Sequence, residues 1–165
     1  MILGMTSALP PNPYAADLGG RDALEALADT PGRIRTLVEC WPADRFERSY
    51  APGKWSARQI LIHLAHSELA LTARARFALQ QEGYTAQPVA QDEWMKADGR
   101  ADALAALDAY VALRRFNLPM WTKLSADERE RRFTHPEFGT LSVWWIAEQI
   151  AGHDIHHLKQ LAAID

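Results

Sequence analysis

Two histidines stand four residues apart near the end of the chain, in His153-Asp-Ile-His156-His157. On a helix, an i, i+4 pair places both imidazoles on one face, one above the other. About ninety residues earlier comes His63-Leu-Ala-His66. A third imidazole from a facing helix would complete a three-nitrogen donor set for a metal ion. Three neutral imidazoles leave a coordination position for water or substrate, which is the mark of a catalytic rather than a structural site.

The hydrophobic pattern points the same way. Val143, Ile146, Ile150, His153, His157 and Ile164 recur at spacings of 3, 4, 3, 4 and 7, the stripe of a helix that faces a core. His153 and His157 therefore occupy inward positions, where a polar group needs a partner. Gln149, Gly152, His156 and Gln160 fall on a different, wetter face, and His156 reads as a surface histidine.

The 165 residues suit one domain, with length enough for a real core. A formal net charge of −3 with both signs interspersed argues against a nucleic-acid surface, which needs a basic face. Cys40 is the only cysteine, so neither a disulfide framework nor a thiolate zinc site fits within one chain. The start, Met1-Ile-Leu-Gly-Met5, has no basic flank and no apolar run of signal-peptide length. No stretch reaches the roughly 18 apolar residues of a membrane span. The expectation is a cytoplasmic protein with a small-molecule substrate and no nucleic-acid or membrane partner.

Helical elements must position the histidines. Pro10-Pro11-Asn12-Pro13 cannot be helical, so residues 1–16 read as an extended arm. Leu24, Leu27, Ile34, Leu37, Val38 and Trp41 form a helical stripe. Thr30-Pro31 splits it into a short lead piece and a helix from Pro31 to Trp41. Ala51-Pro52-Gly53-Lys54 is a turn, and Ser56-Ala-Arg-Gln59 matches a capping box that opens a second helix over 57–81. Ile60, His63, Leu64, Ser67, Leu71, Ala75 and Ala78 line one of its faces. Ile62, Leu69, Ala73 and Phe77 line a neighbouring one, an arc broad enough to meet a partner chain in a homodimer. Residues 83–100 read as a long crossing loop. The third helix carries Leu104, Leu107, Val111, Leu118 and Trp121, with a kink or break expected at Pro119. Residues 129–139 are turn-rich and suit a small hairpin. The last helix starts near Leu141, capped by Thr140 or Ser142, and runs to about Ala163. Four helices and no convincing sheet predict an all-α four-helix bundle.

Three segments resemble the DinB/YfiT-like superfamily of small four-helix metalloproteins: Pro52-Gly-Lys-Trp55-Ser56 leading to His63-Leu-Ala-His-Ser-Glu68, then Thr134-His135-Pro136, then His153-Asp-Ile-His156-His157. They span roughly residues 20 to 162 in the family's order. Trp55-Ser-Ala-Arg-Gln and Gln91-Asp-Glu-Trp94 look most like the YfiT branch. The resemblance implies an up-down-down-up bundle with the crossover between its second and third helices at 83–100. It also implies a metal triad of His63, His153 and His157, with one divalent ion per chain. Zinc and nickel suit imidazole best. His66 and His156 are expected outside the ligand set, as second-shell or surface groups. Asp154 matches no fixed family feature and takes no role from it.

Family members include thiol S-transferases that use bacillithiol or mycothiol, maleylpyruvate isomerase-like proteins, and proteins described as metal-dependent hydrolases. The resemblance thus implies a metal-dependent hydrolase or thiol S-transferase, with a low-molecular-weight thiol as a candidate partner. The alternative is a stress-responsive metal- or ligand-binding bundle that catalyses nothing. Glu68 and Asp154 are acid–base candidates by proximity in sequence alone, and a carboxylate on a helix is usually a solvated charge. His135 reads as a turn residue and is a weaker candidate for lining the site. Trp94 could wall a pocket. Arg33, Arg35, Arg74, Arg76 and the run from Arg129 to Arg132 read as solvated. Cys40 reads as a small buried residue.

Overall fold

The computed structural model describes residues 8–165. Four long helices carry the fold: α2 (Ala23–Val38), α3 (Ala57–Gln80), α5 (Ala103–Lys123) and α7 (Val143–Ala162). Short helices α1 (Ala15–Leu18), α4 (Gln91–Asp98) and α6 (Ala126–Arg129) and a 3-10 turn at Ala43–Glu47 join them. Strands β1 (Arg132–His135) and β2 (Gly139–Ser142) form the expected hairpin, antiparallel, with Phe133 opposite Leu141.

Each long helix starts at a side-chain cap that satisfies a free N–H of its first turn. Asp22 accepts from the Glu25 N–H at 3.0 Å and Asp102 from the Ala105 N–H at 2.8 Å. Ser56 and Gln59 form the reciprocal capping box of α3. Ser142 accepts from the Trp145 N–H at 3.1 Å. In the turn before α3, Gly53 takes φ 72°, a left-handed conformation that glycine adopts without steric cost.

The helices pack as two stacked apolar clusters. One holds Leu27, Leu71, Trp121, Ile146 and Ile150; the other holds Ile34, Ile60, Leu107, Leu158 and Leu161. Along the chain, α2 and α7 pass from the first cluster to the second. Helices α3 and α5 pass the opposite way. The topology is therefore up-down-down-up. The parallel course of α3 and α5 shows directly: Arg58 donates to the Ala101 carbonyl at 3.3 Å near their starts, and Asn117 donates to the Thr72 hydroxyl at 3.1 Å further along. Residues 81–102 carry the chain back between them.

Four local expectations change. Helix α2 is continuous from Ala23 through Pro31, because the carbonyl that Pro31 cannot serve finds another donor, Arg114 (below). Of the kink or break expected at Pro119, the break is absent, and α5 runs on to Lys123. The crossing segment is not all loop: α4 occupies its second half, and Ala86 pairs with β1 through its N–H and the Thr134 carbonyl at 2.8 Å. Part of the arm expected at 1–16 lies outside the described residues; the rest leads into α1 at Ala15. On the second face of α3, Ile62 is buried while Leu69 and Phe77 are each 51% exposed. No helix among the described residues is long and apolar enough to cross a membrane.

Candidate metal centre

His63 comes from the second turn of α3, and His153 and His157 from successive turns of α7. All three are buried. Their Nε2 atoms converge: His63 and His153 lie 2.8 Å apart, and His153 and His157 3.1 Å apart. Among the described residues this is the group of His, Cys, Asp or Glu side chains gathered closely enough to hold a metal ion, and no fourth such side chain joins it.

The other ring nitrogens fix what those Nε2 atoms can do. His157 Nδ1 lies 2.7 Å from Gln160 Oε1, and His153 Nδ1 lies 3.4 Å from Asp154 Oδ1. Both neighbours are oxygen acceptors, so each ring carries its proton on Nδ1 and presents a bare lone pair at Nε2. Two lone pairs 3.1 Å apart repel unless a positive charge stands among them. The donor set therefore fits a metal ion. Burial, with the neighbouring His153 and His66 rings, lowers the His63 pKa to about 3. Burial, with His153 and His63, pushes His157 well below its usual value. Both rings stay neutral, the form a metal ligand requires.

Behind the triad lies a buried polar layer, where the two apolar clusters meet. Arg114 donates through Nε and Nη2 to Glu68 Oε2, at 3.0 and 2.7 Å, and through Nη2 to Asp154 Oδ2 at 2.6 Å. Tyr110 donates to Asp154 Oδ2 at 2.7 Å, and Asn117 to Glu68 Oε1 at 2.9 Å. Arg114 also donates to the Leu27 carbonyl at 2.9 Å. Burial alone would raise the Asp154 pKa, but Arg114, His153 and Tyr110 together hold it at about 2. Asp154 is thus a permanent anion that orients His153, a common arrangement behind ligand histidines. Neither Asp154 nor Glu68 is a solvated charge, and neither lines a pocket at the triad. With their oxygens committed to Arg114 and its neighbours, they are not free acid–base groups.

A second chain of contacts backs His157. The Gln160 amide donates to His156 Nε2 at 2.9 Å and to the Tyr50 hydroxyl at 3.1 Å, and His156 Nδ1 meets Asp17 Oδ2 at 3.0 Å. His156 is half-buried; it meets His157 through Gln160 and through an edge-on ring contact at 5.4 Å, and its nitrogens do not face the triad. His66 hydrogen-bonds none of the three: its Nε2 meets Asp98 Oδ2 at 2.8 Å and its ring stands edge-on to Trp94 at 5.2 Å. The face of α7 read as wet is covered. The arm crosses it at Gly152, where a Cβ atom would lie 2.5 Å from the Tyr14 carbonyl oxygen. Trp145 Nε1 pins the arm through the Pro10 carbonyl at 3.0 Å.

Two pockets meet at the triad. One, of about 190 Å3, is bordered by His63, His153, Ser67, His66, Arg74 and His135, among others. The other, of about 290 Å3, is bordered by His63, His157, Tyr50, Lys54 and Trp55. Tyr14 and Gln91 border both. Trp94 borders neither.

A model of the DinB superfamily matches residues 26–161. The chain belongs to the DinB superfamily. Its DinB fold is similar to that of YfiT from Bacillus subtilis, described as "a probable metal-dependent hydrolase with an unusual four-helix bundle topology". The TM-score is 0.80 at 21% identity, covering 86% of this chain and 83% of that one. Similar in sequence are two proteins each named "Putative metal-dependent hydrolase". One, from Oceanobacillus iheyensis, is 27% identical over 142 residues, covering 86% of this chain and 83% of the relative. The other, from Geobacillus kaustophilus, is 26% identical over 147 residues, covering 86% and 81%.

Several contributors had no motif to announce them. Arg114 was nevertheless signalled: it fills the gap in the series Leu107, Val111, Leu118, Trp121, three residues after Val111 and four before Leu118. Arg74 stands eleven residues, about three helical turns, after His63 on the same face of α3. Tyr14 and Gln160 carried no comparable signal.

Proposed function

We propose that this chain is a metal-dependent hydrolase whose divalent ion, zinc or nickel, is held by His63, His153 and His157. The observation that carries the reading is the convergence of three buried Nε2 atoms, with acceptor oxygens behind two of the rings. Asp154 and Gln160 take the Nδ1 protons of His153 and His157, so two buried lone pairs face one another with His63 Nε2 beside them. A divalent ion bound there supplies Lewis acidity, polarising a carbonyl and acidifying water. The chain's own residues do the rest. Asp154, held by Arg114 and Tyr110, fixes the orientation of His153. Tyr14 packs edge-on to the His153 ring at 5.1 Å and, with the arm, keeps solvent off that face of α7. Ser67 Oγ lies 3.5 Å from His63 Nε2 at the pocket wall, near enough to hydrogen-bond a substrate oxygen brought to the triad.

Thiol S-transfer is the second reading, and the two pockets favour it. They reach the triad from different sides, one at His153 and one at His157, which gives a low-molecular-weight thiol and its acceptor separate places to bind. A non-catalytic binder would have less need of the polar lining that Ser67, Gln91, Gln149 and His135 give the first pocket.

The test is spectroscopic. Cobalt-substituted protein is titrated with a small thiol and, separately, with a carboxylic ester. A change in the visible spectrum with the ester supports hydrolysis, and one with the thiol supports transfer. Replacing His157 should abolish either change. A spectrum indifferent to both ligands would mean that the ion has no position open to substrate, and the catalytic reading would fail.

A further inference from the structure

Arg74 is a charged side chain in an unexpected place. It is 7% exposed and borders the pocket that runs from His63 and His153 toward the hairpin. Its Nη2 donates to the Gln87 carbonyl at 2.9 Å. Among the described residues no carboxylate forms an ion pair with it; the buried acids are taken by Arg114 instead. Burial lowers the Arg74 pKa, against the more distant pull of Tyr84 and Glu137, and Glu137 is itself exposed. A buried cation costs stability unless an anion meets it, and one carbonyl leaves most of the five guanidinium donors free.

A second donor stands at the same end. His135 is 4% exposed and closes β1 on the pocket wall. The Glu137 backbone N–H donates to its Nδ1 at 3.1 Å, so the neutral ring carries its proton on Nε2 and can donate there. Burial and the nearby charge of Arg74 keep the ring neutral. In the same pocket, His66 Nδ1 and Gln149 Oε1 are buried with no partner among the described residues. One end of the pocket therefore offers a planar cation and an N–H. The other end offers the triad.

We propose that this pocket binds a small molecule carrying a carboxylate, with the carboxylate anchored by Arg74 and His135 and the reacting group presented to His63 and His153. A guanidinium recognises a carboxylate through two parallel hydrogen bonds. The helix rise puts about 16 Å between the Cα atoms of His63 and Arg74, so the anchored carboxylate and the reacting group are different parts of one molecule. The reacting end rests on the metal reading above; the anchor stands independently of it.

The test is calorimetric titration of the metal-loaded protein with hexanoate and with hexanamide, which match in length but differ in charge. Hexanoate should bind at least about tenfold more tightly, the effect of one charge-assisted pair. Arg74→Gln should remove the preference with metal content unchanged, and Arg74→Lys should keep part of it. Equal or undetectable binding of hexanoate by the wild type, or an unchanged preference in Arg74→Gln, overturns the proposal. Circular dichroism checks that the variants fold. If Arg74→Gln does not, the preference is read in His153→Ala, which leaves Arg74 in place and, on the metal reading, holds no ion to attract the acid. Preference kept there supports the anchor, and preference lost overturns it. Metal retained in His153→Ala would count against the triad alone, so the two failures are distinguishable.

Discussion

Arg114 donates to the Leu27 carbonyl at 2.9 Å, the oxygen that Pro31, four residues on, leaves without its helical N–H. The same guanidinium holds Glu68 from α3 and Asp154 from α7. One side chain on α5 thus ties together all four long helices and lets α2 pass through a proline. Removing it strands two buried carboxylates. Arg114→Met should cost about 3–5 kcal/mol in denaturant unfolding, the usual cost of breaking a buried pair. Arg35→Met, whose pair with Asp108 is exposed, should cost less than about 1 kcal/mol. Similar losses for the two would mean that the buried layer does not carry the stability assigned to it.

Asp154→Asn tests orientation, and because it also breaks the buried pair with Arg114 it is read on protein checked to be folded. It keeps the shape of the side chain but removes the charge that holds the Nδ1 proton of His153. Metal affinity, measured by competition with a chelator, should fall about 10–100-fold, as for other partners that sit behind a ligand histidine. Unchanged affinity would show that His153 is held by packing alone.

Gly152→Ala should loosen the arm. The added Cβ would lie 2.5 Å from the Tyr14 carbonyl and 2.8 Å from its Cβ, both firmly placed atoms. Overpacking of this kind costs about 1–3 kcal/mol. Limited proteolysis should then cut within residues 8–18 sooner than in the wild type. An unchanged cleavage rate would argue that the arm does not rest on α7.

Acid should unfold the metal-free protein in a defined window. His63 has a folded pKa of about 3 against an unfolded value near 6.5, and His157 is lowered in the same direction. The unfolded chain therefore binds protons that the folded one refuses. This stability is present above about pH 6.5 and is lost as the pH falls toward 3. Asp154, at about 2 against 3.8, adds a further loss below pH 3.8. Urea unfolding of metal-free protein at a series of pH values measures it. A flat stability between pH 7 and 4 would contradict the burial of these rings as neutral groups.

Much of this was legible in the sequence, for identifiable reasons. The four long helices announce themselves through apolar period, and α3 and α7 also through capping residues, Ser56 with Gln59 and Ser142. His153 and His157 stand on an apolar stripe where polarity needs a partner. Pro31 misled because the Leu27 carbonyl it frees is served by Arg114, 87 residues further along the chain, on α5. The charge runs misled at Arg74 because composition cannot say which side of a helix a pocket lies on. Gly152 looked polar-facing because nothing local predicts that residues 8–18 return across α7. These are long-range relationships, and local patterns do not encode them.

The metal content of the purified protein and three single variants bears most directly on the central claim. Elemental analysis of wild-type protein should find close to one divalent ion per chain. His63→Ala and His153→Ala should each lose it, while His156→Ala, which changes a ring whose nitrogens go to Asp17 and Gln160, should keep it. Full metal in His63→Ala or His153→Ala, or loss confined to His156→Ala, would contradict a site built from His63, His153 and His157.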